Sequence, residues 1–193
     1  MRGGFITATI VLMCVADPVR AQSPGRIELA AQVSAVRLSG IDATDSGIGA
    51  RVAWHIRNAL ALEAVSDYFP TGAHDVARGG RKLHALFGPK IGWRSDRVGV
   101  FAKMRAGIAR VSEGRQAGTC ILIFPAPESC YVADTRLAFD VGGAFEIYPS
   151  ARTSLRVDAG TFVTRLGDSS SRFGRNGNYA RDADVTASVG FRF

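Results

Sequence analysis

The chain has 193 residues, 47% of them apolar and 21% charged, with a formal net charge of +7. That length suits one domain. No run of about 20 apolar residues follows the N-terminal stretch, which excludes a helical membrane protein.

Residues 1–21 read as a secretory signal. Arg2 supplies the positive start and Phe5 to Ala16 form a mainly apolar segment of 12 residues, short for a bilayer span. Val19 and Ala21 fit the small positions before a cut ahead of Gln22, leaving residues 22–193 as the working domain. An N-terminal anchor helix is the competing reading, and Asp17, Pro18 and Arg20 cut it short. A lipoprotein reading of Cys14 meets Met13 where a small residue is wanted. Cleavage leaves Cys120 and Cys130, an even pair that in an exported protein most simply means a disulfide.

From residue 26 onward, apolar and polar residues alternate in eight segments, the period of a β-strand. The first, about 27–36, sets Ile27, Leu29, Ala31, Val33 and Ala35 against Glu28, Gln32 and Ser34. The second, 47–56, sets Ile48, Val52 and Trp54 against Gly49, Arg51 and His55, and the third, 59–68, sets Leu60, Leu62 and Tyr68 against Glu63 and Asp67. The fourth, 82–94, opposes Leu83, Phe87, Ile91 and Trp93 to His84, Lys90 and Arg94. The fifth, 98–109, opposes Val98, Val100, Met104 and Ile108 to Lys103 and Arg105. Segment six, 137–148, pairs Leu137, Phe139, Val141, Phe145 and Ile147 against Asp140, Glu146 and Tyr148. Segment seven, 154–164, pairs Leu155, Val157 and Val163 against Arg156 and Asp158. In the eighth, Val185, Ala187, Val189, Phe191 and Phe193 oppose Thr186, Ser188, Gly190 and Arg192.

Each apolar face is almost free of charge over roughly ten residues, the length of a tilted membrane strand. Lipid cannot satisfy open strand edges, so eight such strands predict a closed barrel. The fold class is therefore all-β: an eight-stranded antiparallel up-and-down transmembrane β-barrel. Turns near Arg57-Asn58, Ser95-Asp96-Arg97 and Pro149-Ser150-Ala151 are short, and the other connections run about 37–46, 69–81, 110–136 and 165–182. Short turns on one side and long loops on the other is the outer-membrane arrangement. Trp54, Trp93, Phe145 and Phe193 then fall at the periplasmic ends of their strands, where an aromatic girdle belongs. A soluble lipocalin-type barrel alternates in the same way. The glycine-rich polar face, the loop asymmetry and the terminal Phe193 favour lipid outside. Pro89 lies mid-strand on the lipid face and predicts a bulge or a broken ladder bond.

Strand layout, loop asymmetry and the ending GFRF resemble the small eight-stranded outer-membrane barrels related to the transmembrane domain of outer-membrane protein A and to OmpX. The resemblance covers essentially the whole chain after residue 21. It implies a bacterial outer-membrane location and a C-terminal strand read by the outer-membrane insertion machinery. It also implies lipid and lipopolysaccharide as neighbours, a monomeric state and no nucleic-acid partner.

The barrel interior is expected to hold Glu28, Arg51, Glu63, Asp67, Lys90, Arg94, Lys103, Arg105, Asp140, Glu146, Arg156, Asp158 and Arg192. Acids and bases nearly balance, which predicts a salt-bridge network filling the lumen, with a narrow gated pore as the alternative. His55, His74 and His84 have no metal-ligand spacing, and no GxSxG or Gly-rich phosphate loop occurs. Lipid A deacylases, also eight-stranded, place a His and a Ser two residues apart, and no His here is followed by Ser at that distance. No catalytic residue, metal ligand or cofactor is expected, and the protein is read as a structural or surface-interaction scaffold. A small passive pore and an outer-leaflet lipid-modifying enzyme are the alternatives. External-loop cations, Arg78, Arg81, Lys82, Arg110, Arg115, Arg165, Arg172, Arg175 and Arg181, are candidates for lipid phosphate contact, with Arg172 and Arg175 foremost.

Overall fold

The computed structural model describes residues 26–40, 42–70, 79–116, 130–165 and 179–193. The expected signal segment 1–21, Cys120, Arg172 and Arg175 lie outside the described residues. Eight strands follow in chain order: β1 (Ile27–Leu38), β2 (Ala43–Arg57), β3 (Leu60–Phe69), β4 (Lys82–Arg94), β5 (Val98–Gln116), β6 (Tyr131–Ile147), β7 (Thr153–Arg165) and β8 (Tyr179–Arg192). Each pairs antiparallel with the next, and β1 closes on β8 from Glu28↔Arg192 to Arg37↔Ala183. Closure leaves neither β1 nor β8 as an open edge.

Burial is inverted relative to a water-soluble domain. Along the strands the apolar residues face out, with Val33 58% and Met104 59% exposed, while Glu63 and Lys90 are fully buried. The alternation read from the sequence therefore carries the expected faces: apolar wall outside, charge inside. Trp54, Trp93, Phe145 and Phe193 all stand on the outer wall near the end that carries the short turns.

The strands outrun the sequence pattern at the opposite end. The connection expected at 37–46 shrinks to the stretch between Leu38 and Ala43, with Asp42 in the left-handed region at φ 48°. Likewise β5 continues to Gln116 and β6 begins at Tyr131, with a register shift between Val111 and Arg115. The reason is physical. Above the apolar band the outward residues turn polar (Arg37, Thr44, Ser46, Arg181), so the alternation fades while the hydrogen-bond ladder continues.

Pro89 interrupts one ladder and not the other. It pairs with Leu62 of β3, but the β4–β5 pairing passes from Phe87↔Ala106 to Lys90↔Lys103 without a register shift. Proline has no N–H to donate, so the ladder skips Gly88 and Pro89 and resumes in phase.

Candidate functional site in the barrel lumen

All eight strands send charge to one central network. Glu63 on β3 is its hub. Its Oε2 accepts from Arg156 at 3.1 Å, its Oε1 accepts from the same guanidinium and from Arg51 at 3.2 Å, and Lys90 Nζ lies 3.3 Å away. Glu146 accepts from Lys90 at 2.5 Å and from Arg156 at 3.3 Å. Glu28 accepts from Arg51 at 2.8 Å and from Arg192 at 2.7 Å, with His55 3.6 Å away. Asp158 holds Arg156 at 2.6 Å, and Asp140 binds Arg105 at 2.7 Å and Lys103 at 3.0 Å. Each of these groups costs several kcal/mol to bury alone, and mutual pairing is what makes the burial tolerable.

The network has a floor and a ceiling. Toward the short turns, Tyr148 donates to Glu146 at 2.6 Å and the guanidinium groups of Arg192 (4.2 Å) and Arg94 (4.5 Å) each lie over its ring. The ammonium of Lys90 sits 4.4 Å from the centre of the Phe101 ring. Toward the opposite end, His84 stacks on Phe162 at 4.3 Å and leans on Phe69 at 4.8 Å. Leu86, Ala109, Ala138 and Phe162 pack beside it as an apolar layer. Above that layer Lys82 pairs with Asp45.

Eleven of the charges expected inside, Glu28, Arg51, Glu63, Lys90, Lys103, Arg105, Asp140, Glu146, Arg156, Asp158 and Arg192, join this one system. Asp67 is a correction: it is buried but accepts from the neutral Gln32 (2.7 Å) and Ser34 (2.8 Å), outside the ionic network. Arg94 is half-buried against the Tyr148 ring, on the inward side where it was expected. Lys82 is a second correction: expected among the external-loop cations, it is the buried first residue of β4 and points inward. The sequence reading missed Asp45 and Asp182, which sit where the outer wall has already turned polar, and Asp184, which lies inward between the outward Ala183 and Val185. It also missed Phe69, Leu86, Phe101 and Phe162. Their inward parity was the available signal, masked by the expectation of a wholly polar lumen.

Gly160 makes room in this interior: a Cβ there would stand 3.0 Å from Asp184 and 3.1 Å from Asp140. Cys130 is buried just before β6. Among the described residues no group of three or more His, Cys, Asp or Glu side chains is placed to hold a metal ion. An eight-stranded interior is just wide enough for side chains to fill, and these three layers lie within it.

No protein-family model matches the chain, and no curated protein matches it. Solved structures do. Neisserial surface protein A is similar over 89% of this chain and 100% of its own, at 12% identity and a TM-score of 0.55. The N-terminal β-barrel domain of Pseudomonas aeruginosa OprF is similar over 88% of this chain and 99% of its own, at 11% identity and a TM-score of 0.51. With closed topology, inverted burial and a charge-filled lumen, the chain has the fold of the small eight-stranded outer-membrane β-barrels.

Proposed function

We propose that this chain is a bacterial outer-membrane barrel that works as a scaffold, presenting its outer wall and its loop-bearing end to other molecules. In this reading the short turns face the periplasm and the longer connections face outward. One observation carries it: the Tyr148 ring, the Glu63 network and the His84–Phe162 layer stand in series along the lumen. A conduit needs a continuous wet path, and three packed layers oppose one. A wall of Val33, Phe87, Met104 and Val141 demands a covering that water does not supply, which supports the membrane location.

Cell fractionation followed by electrophoresis with and without boiling tests the location. The expected result is membrane recovery and a mobility change only after boiling. Planar-bilayer recording tests the sealed lumen, with no steady single-channel current expected. Steady currents would replace the scaffold with a passive pore. Recovery as a detergent-free periplasmic monomer would remove both readings.

A further inference from the structure

Three arginines on adjacent strands stand at one level of the outer wall. Arg37 (β1), Arg181 (β8) and Arg165 (β7) are exposed, and all point outward by strand parity. In register, Arg37 lies opposite Ala183, Arg181 opposite Val163, and Arg165 opposite Tyr179. Arg181 is thus the diagonal neighbour of both other arginines, a spacing of about 7–8 Å that long side chains readily bridge.

Their height is specific. Arg37, Arg181 and Arg165 each lie ten positions along their strands from Ile27, Phe191 and Leu155. At about 3.3 Å per residue and a tilt of about 40°, that is a rise of about 25 Å, the height of the apolar band of such barrels. Below the cluster the wall is Ala183, Val185, Ala159 and Val157, with Thr161 its one polar residue on β7 before Thr153. The cluster therefore begins where the apolar covering must end, at headgroup depth.

The charge is poorly compensated. Among the described residues no carboxylate pairs with Arg165 or Arg181, and the adjacent Asp182 is buried, turned inward, and accepts from the Ser39 N–H at 2.9 Å. Arg37 touches Asp42 at 2.7 Å, but that pair is largely exposed and so holds weakly. Tyr179, 56% exposed beside Arg165, adds a ring with a polar tip of the kind found at membrane interfaces.

We propose that Arg37, Arg165 and Arg181 form a docking surface for the phosphates of an outer-leaflet lipid, with lipopolysaccharide as the occupant. Guanidinium groups meet phosphate oxygens in pairs, and three of them on a rigid wall match a headgroup bearing more than one phosphate, while its acyl chains lie along the apolar wall beneath. The surface rests on the membrane location proposed above. Its binding test is run in detergent, so failure of either reading is scored separately.

The full chain, purified from membranes in a non-ionic detergent, is titrated with bis-phosphorylated lipopolysaccharide, its dephosphorylated form and inorganic pyrophosphate. The expected result is at least tenfold tighter binding of the phosphorylated lipid than of the dephosphorylated one. Arg37→Ala/Arg165→Ala/Arg181→Ala abolishes that preference, and Arg57→Ala/Arg97→Ala, at the opposite end, retains it. An unchanged preference in the triple variant overturns the proposal, as does equal binding of both lipids by the unaltered chain. Pyrophosphate binding as tight as the lipid would assign the surface to soluble phosphate and overturn the lipid assignment. Boiling-dependent mobility verifies folding. If the triple variant fails to fold, Arg181→Gln alone replaces it, with at least a threefold loss expected and no loss overturning the proposal.

Discussion

Glu63 and Arg156 join strands β3 and β7, which share no ladder, through a two-point carboxylate–guanidinium contact across the lumen. The barrel wall is held by ladders between neighbours; this pair ties opposite sides together.

Removing the hub's charge leaves Arg156, Lys90 and Arg51 without their shared partner. Glu63→Gln is expected to cost about 3–5 kcal/mol, the penalty for breaking a buried ion pair from one side. Asp67→Asn, whose partners are the neutral Gln32 and Ser34, is expected to cost about 1–2 kcal/mol. Urea unfolding from vesicles, followed by electrophoretic mobility, compares the two. Equal losses would show that Glu63 is not the hub of the lumen.

The outer wall makes a second, independent prediction. Met104 projects from mid-strand on β5 and Thr44 from near the far end of β2. Met104→Arg is expected to cost about 2–4 kcal/mol in a bilayer, and Thr44→Arg about 0–1 kcal/mol. The difference measures depth in lipid. If both arginines cost the same in vesicles, the apolar wall is not covered by hydrocarbon.

The fold was legible because each strand interior repeats one rule: apolar to lipid, polar to lumen. Ile27, Val52, Met104 and Phe191 report it without any partner in view. Legibility failed where the rule lapses. At Arg37, Thr44 and Arg181 the outward residue is polar, so the alternation stops short of the strands' true limits at that end. Inside, Phe69, Leu86 and Phe162 obey strand parity but not the polar rule, and only the closed barrel brings them together from β3, β4 and β7. Asp67 illustrates the remaining gap. Its inward direction follows from the pattern, whereas its neutral partners on β1 follow from a neighbourhood that sequence spacing does not encode.

The apolar ceiling can be removed without opening the floor. Phe69→Ala with Phe162→Ala deletes both ring partners of His84. Each truncation is expected to cost about 3–5 kcal/mol if the cavity does not collapse. Because the Glu63 network lies in series below, the double variant is expected to show lower urea resistance and still no steady current in a planar bilayer. A steady current in that variant would place the seal in the aromatic layer alone.

Gly88 marks one of the closest approaches between neighbouring strands. A Cβ there would stand 2.0 Å from the Met104 carbonyl oxygen, on the stretch where Pro89 breaks the β4–β5 ladder. Backbone atoms have no rotamer by which to retreat, so Gly88→Ala must push β5 away from β4. The expected cost is about 1–3 kcal/mol, the range for overpacking a close-packed interior. Gly143 is the matched control: it faces outward, and the nearest atom to its added Cβ is the Phe101 carbonyl oxygen at 3.6 Å. Gly143→Ala is therefore expected to leave the urea midpoint nearly unchanged. If Gly88→Ala is equally silent, the strands separate there at no cost, and the proline break is slack in the wall instead of a tight seam.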